Sequence, residues 1–320
     1  MPSSFFPALS AALSITAPIF FLVVLGIVIK RLRLINDSFI DAASKLVFII
    51  GLPCLLFITI VKTRLDTVLN LKLIAVGLGS TLIIFFMLVL LAIALVRSPR
   101  ERGIFVQGSF RGNMGIIGLA FCLNAYGETG IAMASVYMAT LTILYNFLSV
   151  IVLTQTLATS QQQLWRQILV NIVKNPIVIA IVLGFIVSGL RVPIHQTLMD
   201  SGNYLAQLTL PLALLCIGGS INLRELRKSS FVALLTVLMK LVLVPGASVL
   251  LALPFGFTAT EMGVVFLMAA APTATASYIM VQAMKGNGVL AANIVVLSTL
   301  GSVLSASVGI VILRALQIVG

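Results

Sequence analysis

RGNMGIIGL, Arg111 to Leu119, places an arginine, an asparagine and three glycines where an ordinary membrane helix carries leucine. APTATASY, Ala271 to Tyr278, has the same interrupted character near the other end of the chain. The apolar sequence that surrounds the two stretches sets the fold class. The interruptions themselves point toward function.

Of 320 residues, 60% are hydrophobic and 9% charged, against about 25% charged in a soluble globular domain. We therefore read an all-α integral membrane protein. Apolar blocks such as Leu71 to Val96 and Phe231 to Leu253 exceed the roughly 20 helical residues that cross a hydrocarbon core. With that ruler the chain divides into about ten transmembrane helices. They are expected at Leu9 to Ile29, Phe39 to Val61, Leu71 to Val96, Gly103 to Leu123, Thr129 to Leu153, Pro176 to Leu190, Tyr204 to Ile221, Phe231 to Leu253, Met262 to Ala283 and Val289 to Leu313.

No Lys or Arg precedes Leu9, whereas Lys30, Arg31 and Arg33 follow the first apolar run. A cleaved signal peptide has the opposite order, so this run is expected to be a retained span with its N-terminus outside. The formal charge of +12 lies in short loops and is explained by topology rather than nucleic acid. Lys30, Arg31, Arg33, Arg97, Arg100, Arg102, Arg166, Lys174, Arg224, Arg227, Lys228 and Lys285 fall on the cytoplasmic side. Lys62, Arg64, Lys72, Arg191 and Arg314 fall outside. The expectation is a multi-pass protein of the cell inner (plasma) membrane with both termini outside. Cys54, Cys122 and Cys216 lie in apolar segments without metal-ligand or disulfide spacing and read as small core residues.

ATSQQQLW, Ala158 to Trp165, is a polar stretch at the centre of the chain. On either side of it Pro18 matches Pro176, Gly26 matches Gly184, Arg33 matches Arg191 and Pro53 matches Pro211 at one constant offset. One residue further, Gly127 matches Gly286. This predicts two repeats of five helices, residues 1–157 and 168–320, joined by a cytoplasmic linker at 158–167. An odd number of spans per half makes the second repeat inverted, as in many secondary transporters.

Substrate sites in such proteins lie near the bilayer midplane, at discontinuous helices in corresponding positions of the halves. The fourth and ninth spans are the candidates. Gly108, Gly112, Gly115 and Gly118 weaken the fourth, by about 1 kcal/mol each relative to Ala; Pro272 breaks the ninth by removing a donor. Broken helices expose N–H groups that favour anions, and Asn113, Thr273, Thr275 and Ser277 add neutral hydrogen-bonding groups. No Asp or Glu lies in either stretch, so the site suits a carboxylate. For each glycine singly, close helix packing is the competing reading.

Arg111 and Lys240 are ionisable residues deep in apolar blocks, where a charge is costly. Arg111 either attracts the anion or snorkels to an interface, and Lys240 is expected to have a coupling or structural role. Lys45 is read as interfacial. Tyr145 and Asn146 either line the site or bond a neighbouring helix. Pro53 and Pro211 are read as matched helix bends, and His195, near Asp200, as a surface residue. No paired carboxylates, metal-ligand cluster or Ser/His arrangement lies in the spans, so an enzyme is not expected, nor is a cofactor or metal.

FRGNMGIIGL from Phe110, YNFLSV from Tyr145, KNPIVIAIVLG from Lys174, LPLALLCIGGSINL from Leu210 and APTATASY from Ala271 together resemble the auxin efflux carrier family. That family includes plant auxin exporters and bacterial permeases for malonate or malate. The resemblance implies ten helices in two inverted repeats, of the bile-acid symporter or NhaA-like kind. It implies a scaffold from the first two spans of each half and a mobile transport part from the last three, moving as an elevator. It also implies that a carboxylate is held at the crossing of helices four and nine, with Asn113 contributing. The chain lacks the long central loop of the plant members and has Gly112 and Gly115, but no proline, at the first break. The expected partners are a small organic anion and the lipid bilayer, with a homodimer through the scaffold helices. Coupling to Na+ or H+ stays open, as do a sodium-coupled carrier of the bile-acid symporter type, a non-transporting sensor and a channel.

Overall fold

The computed structural model describes residues 5–62, 70–157, 176–221 and 230–319. The expected linker and the charges Arg64, Arg166, Lys174, Arg224, Arg227 and Lys228 lie outside the described residues. The described chain is helical apart from turns and one isolated antiparallel bridge between Gly112 and Thr273. In lipid a helix satisfies its own backbone, which is why the long apolar runs take this form.

The helices are α1 (Phe5–Arg31), α2 (Asp37–Leu46), α3 (Leu52–Lys62), α4 (Leu71–Leu95), α5 (Pro99–Phe110), α6 (Leu119–Leu157), α7 (Pro176–Gly189), α8 (Gln196–Ser220), α9 (Phe231–Leu238), α10 (Val244–Ala252), α11 (Ala259–Ala270), α12 (Thr275–Ala283) and α13 (Gly288–Ala315). Six continuous helical runs among the described residues are long and apolar enough to cross a membrane: Asp37–Lys62, Leu71–Leu95, Met114–Leu157, Gln196–Ser220, Phe231–Phe255 and Gly288–Ala315. Large apolar side chains such as Phe21, Phe86, Leu90, Leu250 and Leu304 are exposed, a surface suited to acyl chains and not to water. This is an all-α, multi-pass membrane protein.

The 44-residue run Met114–Leu157 would be about 66 Å long if straight, twice a hydrocarbon core. It folds back at Gly127, whose φ of 61° and ψ of −147° only glycine adopts readily. The sequence-based gap between the fourth and fifth spans is therefore real, but it is a single-glycine reversal.

Proline acts in two ways. Leu52 N–H reaches back five residues to Val47 O, and Val244 N–H to Met239 O, forming π-helical stretches immediately before Pro53 and Pro245. A proline lacks the donor that would close the normal turn, and the wider turn absorbs the defect. Pro53 is thus a local widening, joined by Pro245, which sequence reading did not single out. Pro211 sits inside α8 without such a stretch.

Helix ends are set by local chemistry. Asn36, Asn70, Ser230 and Asn287 accept N-cap bonds, and Thr258 forms a capping box with Glu261. His195 also caps, its Nδ1 accepting from Thr197 N–H. Arg33, Arg191 and Lys285 take positive φ at C-termini closed by the bonds Leu34 N–H to Ile29 O, Val192 N–H to Val187 O and Gly286 N–H to Val281 O.

Two groups of helices pack together. In the first, α1 lies on α8, α3 on α7 and α8, and α2 on α8. The α1–α8 crossing is backbone to backbone: a Cβ on Gly26 would strike Leu215 O, and one on Gly218 would strike Val23 O. At α3–α7 a Cβ on Gly184 would stand 3.5 Å from Phe57 O. The pairs Gly26 with Leu215 and Gly184 with Phe57 exchange under the offset that relates Pro53 to Pro211. The second group holds α4 to α6 and α9 to α13. Within it α4 and α5 recur as Phe231–Phe255 and α11 at a common spacing and with identical lengths. The two groups touch where α1 runs along α13, with Thr16 bonded to Ser307 at 2.7 Å, and again where α1, α3 and α7 meet α6.

Candidate functional site

The fourth and ninth spans are both interrupted, and the interruptions meet. After α5 the chain is extended at Arg111 (φ −80°, ψ 93°) and non-helical at Asn113 (φ −79°, ψ 64°), then resumes as the π-helical stretch Met114–Gly118. After α11 it is extended from Ala271 to Ala274, then resumes as α12. Asn113 N–H donates to Pro272 O at 2.6 Å and Ala274 N–H to Arg111 O at 3.0 Å. Each break thus supplies the backbone partners that the other lacks, as burial requires.

The glycines divide between the break and the close helix packing that was the competing reading for each of them. Gly108 and Gly118 remain inside helical turns, and only Gly112 lies in the break. Their common property is close approach. The place where a Gly112 Cβ would stand is 3.0 Å from Lys240 Nζ and 3.2 Å from Ala271 O. A Cβ on Gly118 would stand 2.8 Å from Met268 Sδ. Gly115 has only Met138 Sδ nearby, at 3.5 Å.

Arg111 does not snorkel. Its side chain is 7% exposed, and it donates to Asn146 Oδ1 at 2.7 Å, Ser149 Oγ at 3.1 Å and Met280 Sδ at 2.8 Å. A guanidinium has more N–H groups than these three bonds use. Among the described residues the only ion pair is Lys30–Asp37, so this buried cation has no carboxylate beside it. Asn146 is the oxygen that orients it. Tyr145 stacks edge-on against Phe110 with ring centroids 5.3 Å apart.

Lys240 is fully buried on the π-helical stretch Met239–Leu243 and donates to Ala269 O at 3.0 Å. It caps the carbonyl end of α11, where unpaired C=O groups favour a cation. Thr273 is 1% exposed and fully engaged: its N–H donates to Ser298 Oγ at 3.0 Å and its Oγ1 to Gly108 O at 2.7 Å. Asn113, by contrast, is part-exposed with an unbonded side chain, and Thr275 is exposed in the first turn of α12.

Gln107 and Ser277 border one narrow gap beside Gly108 and Thr273. Both are buried, and Gln107 Oε1 and Ser277 Oγ have no hydrogen-bond partner among the described residues. Sequence reading named Ser277 but missed Gln107, Ser149, Met280 and Ser298. For Gln107 the available signal was an amide in the last turn before a break.

A separate cleft of about 320 Å³ runs between the two helix groups, lined by Pro18, Leu55, Thr59, Ala120, Asn124, Gln207 and Pro211. Lys62, Asn203 and Glu128 also line it, and Lys62 donates to Asn203 Oδ1 at 2.7 Å. Pro211 thus lies on the cleft and not at the crossing.

A family of sequences described as membrane transport proteins matches residues 12–310, which include both breaks and the cleft. The chain belongs to the auxin efflux carrier family. No curated protein matches it. The auxin efflux carriers are a family of transporters rather than of enzymes. Among the described residues no group of His, Cys, Asp or Glu could hold a metal ion. In this member of the family the crossing brings together hydrogen-bonding groups and two buried cations.

Proposed function

We propose that the protein is a secondary or facilitative carrier of small organic anions, carboxylates of the malonate, malate or auxin-like class, with its binding site at the crossing of the two broken helices. The observation that carries this reading is Arg111: a buried guanidinium with unused N–H groups and no carboxylate near it. Burying a charge unpaired is expensive, and an anion that shares the site supplies the missing partner. The first turn of α12, whose N–H groups begin beside Arg111 O, adds a partial positive charge. Asn113, Thr275 and Ser277 supply neutral contacts.

The mechanism we propose is an elevator in which α4 to α6 and α9 to α13 move against a scaffold of α1 to α3, α7 and α8. Support comes from the cleft between the groups, with Lys62 and Glu128 in its lining, and from the exchange of the Gly26–Leu215 and Gly184–Phe57 contacts. That exchange, with the recurrence of α4–α5 as Phe231–Phe255 and α11, favours ten spans in two inverted repeats. On the positive-inside rule the cleft opens outward and both termini lie outside the inner membrane. The lipid-facing scaffold leaves room for a homodimer.

The test is a thermal-shift screen of mono- and dicarboxylates on the purified carrier, since a ligand of the native state raises its stability, followed by counter-exchange in proteoliposomes. Asn113→Ala is expected to keep its stability within about 0.5 kcal/mol, because the side chain holds nothing in place, and to lose at least tenfold in transport. Unchanged binding and transport would remove Asn113 from the site. Conductance far above carrier rates would replace the carrier with a channel.

A further inference from the structure

We propose that Lys240 is a built-in counter-cation that occupies the place of a sodium ion at the carbonyl end of α11, so that this crossing needs no metal cation and acquires a need for one when the amine is removed. In carriers with broken helices, unwound carbonyls and half-helix C-termini are the groups that hold a coupling Na+. This chain has such a carbonyl end. Ala271 N–H closes the last turn on Leu267 O, so the carbonyls that follow have no helical donor. Lys240 Nζ donates to Ala269 O at 3.0 Å.

The space is built for the ammonium. The missing Cβ of Gly112 marks a point 3.0 Å from Lys240 Nζ, 3.2 Å from Ala271 O and 3.5 Å from Met268 O. A nitrogen and two carbonyl oxygens therefore border one side-chain-free position, and the nitrogen itself donates to Ala269 O. An ammonium has three donors and no acceptor, and Ala269 O takes one of the three. Lys240 is 0% exposed and has no carboxylate partner among the described residues, so the carbonyl end of α11, through Ala269 O, is what faces its charge. Small residues alone would have allowed helix packing there. A buried amine aimed at orphan carbonyls is a specific occupant.

Methionine ends one atom short of the lysine nitrogen. Lys240→Met thus keeps the apolar stem and vacates only the position of the charge, leaving an oxygen-lined space that a monovalent cation fits. The proposal concerns the same crossing as the anion site but needs no substrate, so its failure leaves the anion reading untouched.

The experiment compares thermal unfolding of the purified full-length carrier in sodium chloride and in choline chloride of equal concentration. Wild type is expected to unfold at the same temperature in both. Lys240→Met is expected to be less stable in choline and to regain roughly 2 °C or more, saturably, with sodium. Adding Gly112→Ala to Lys240→Met places a methyl 3.2 Å from Ala271 O and 3.5 Å from Met268 O and is expected to abolish the sodium response. The proposal is overturned if wild type shows the sodium stabilisation itself, or if Lys240→Met unfolds identically in the two salts. Failure to recover folded Lys240→Met in either salt also overturns it, because sodium then does not replace the amine.

Discussion

Arg111→Gln removes the charge at the crossing and leaves a shorter side chain that still ends in a hydrogen-bonding amide. Two effects separate. Within the protein the guanidinium bonds Asn146 and Ser149 at 2.7 and 3.1 Å, each about 1.5–3 kcal/mol as a charge-assisted bond. Against that loss stands relief from burying a cation with no carboxylate, a penalty of several kcal/mol per ion. The two nearly cancel, and the melting temperature is expected to move by no more than about 5 °C in either direction. A bound carboxylate loses its charged contact with nothing to offset it, again about 1.5–3 kcal/mol. At 1.4 kcal/mol per tenfold, affinity falls roughly 10- to 150-fold. The assay is titration of a stabilising carboxylate by thermal shift, with saturable uptake into proteoliposomes in parallel. Arg111→Lys keeps the charge without the planar fork and is expected to fall between wild type and Arg111→Gln. An Arg111→Gln carrier with wild-type affinity for the same carboxylate would refute the assignment of Arg111 as the anion's partner.

Gly26→Val should destabilise by about 1–3 kcal/mol or more, since the added Cβ collides with the rigid Leu215 carbonyl. Gly184→Val should cost less, because Ile60 atoms at 3.2 Å can yield; equal melting temperatures for the two variants in detergent would contradict the described packing. Gln107→Leu removes a buried acceptor that has no partner and should raise stability by roughly 1 kcal/mol while slowing transport. A destabilised Gln107→Leu would mean that the amide is structural.

Much of the fold was legible because lipid leaves few choices. The fourth helix, Leu71–Leu95, ends within a residue of the apolar block read as Leu71 to Val96. Phe231–Phe255 likewise overruns its block by two residues. Where sequence failed, the cause was a partner far along the chain. The depth of Arg111 is set by Asn146, Ser149 and Met280, none of them in its own segment. Gln107 looked like an ordinary residue in an apolar helix, and Pro245 has no matched proline to draw attention to it.

The first break is the instructive case, because it forms without proline and with its glycines largely outside it. A lone break in a membrane helix would strand backbone groups at several kcal/mol each. Asn113 N–H on Pro272 O and Ala274 N–H on Arg111 O remove that penalty from both breaks at once. Proline opens the ninth span, and the carbonyl and N–H it exposes then hold the fourth span open. Glycine at 112 lets Lys240 and the Ala271 carbonyl come within 3.0 and 3.2 Å of where a side chain would begin. The signal was therefore present in each stretch but incomplete in both: APTATASY specifies a break, and RGNMGIIGL specifies a backbone thin enough to pair with it.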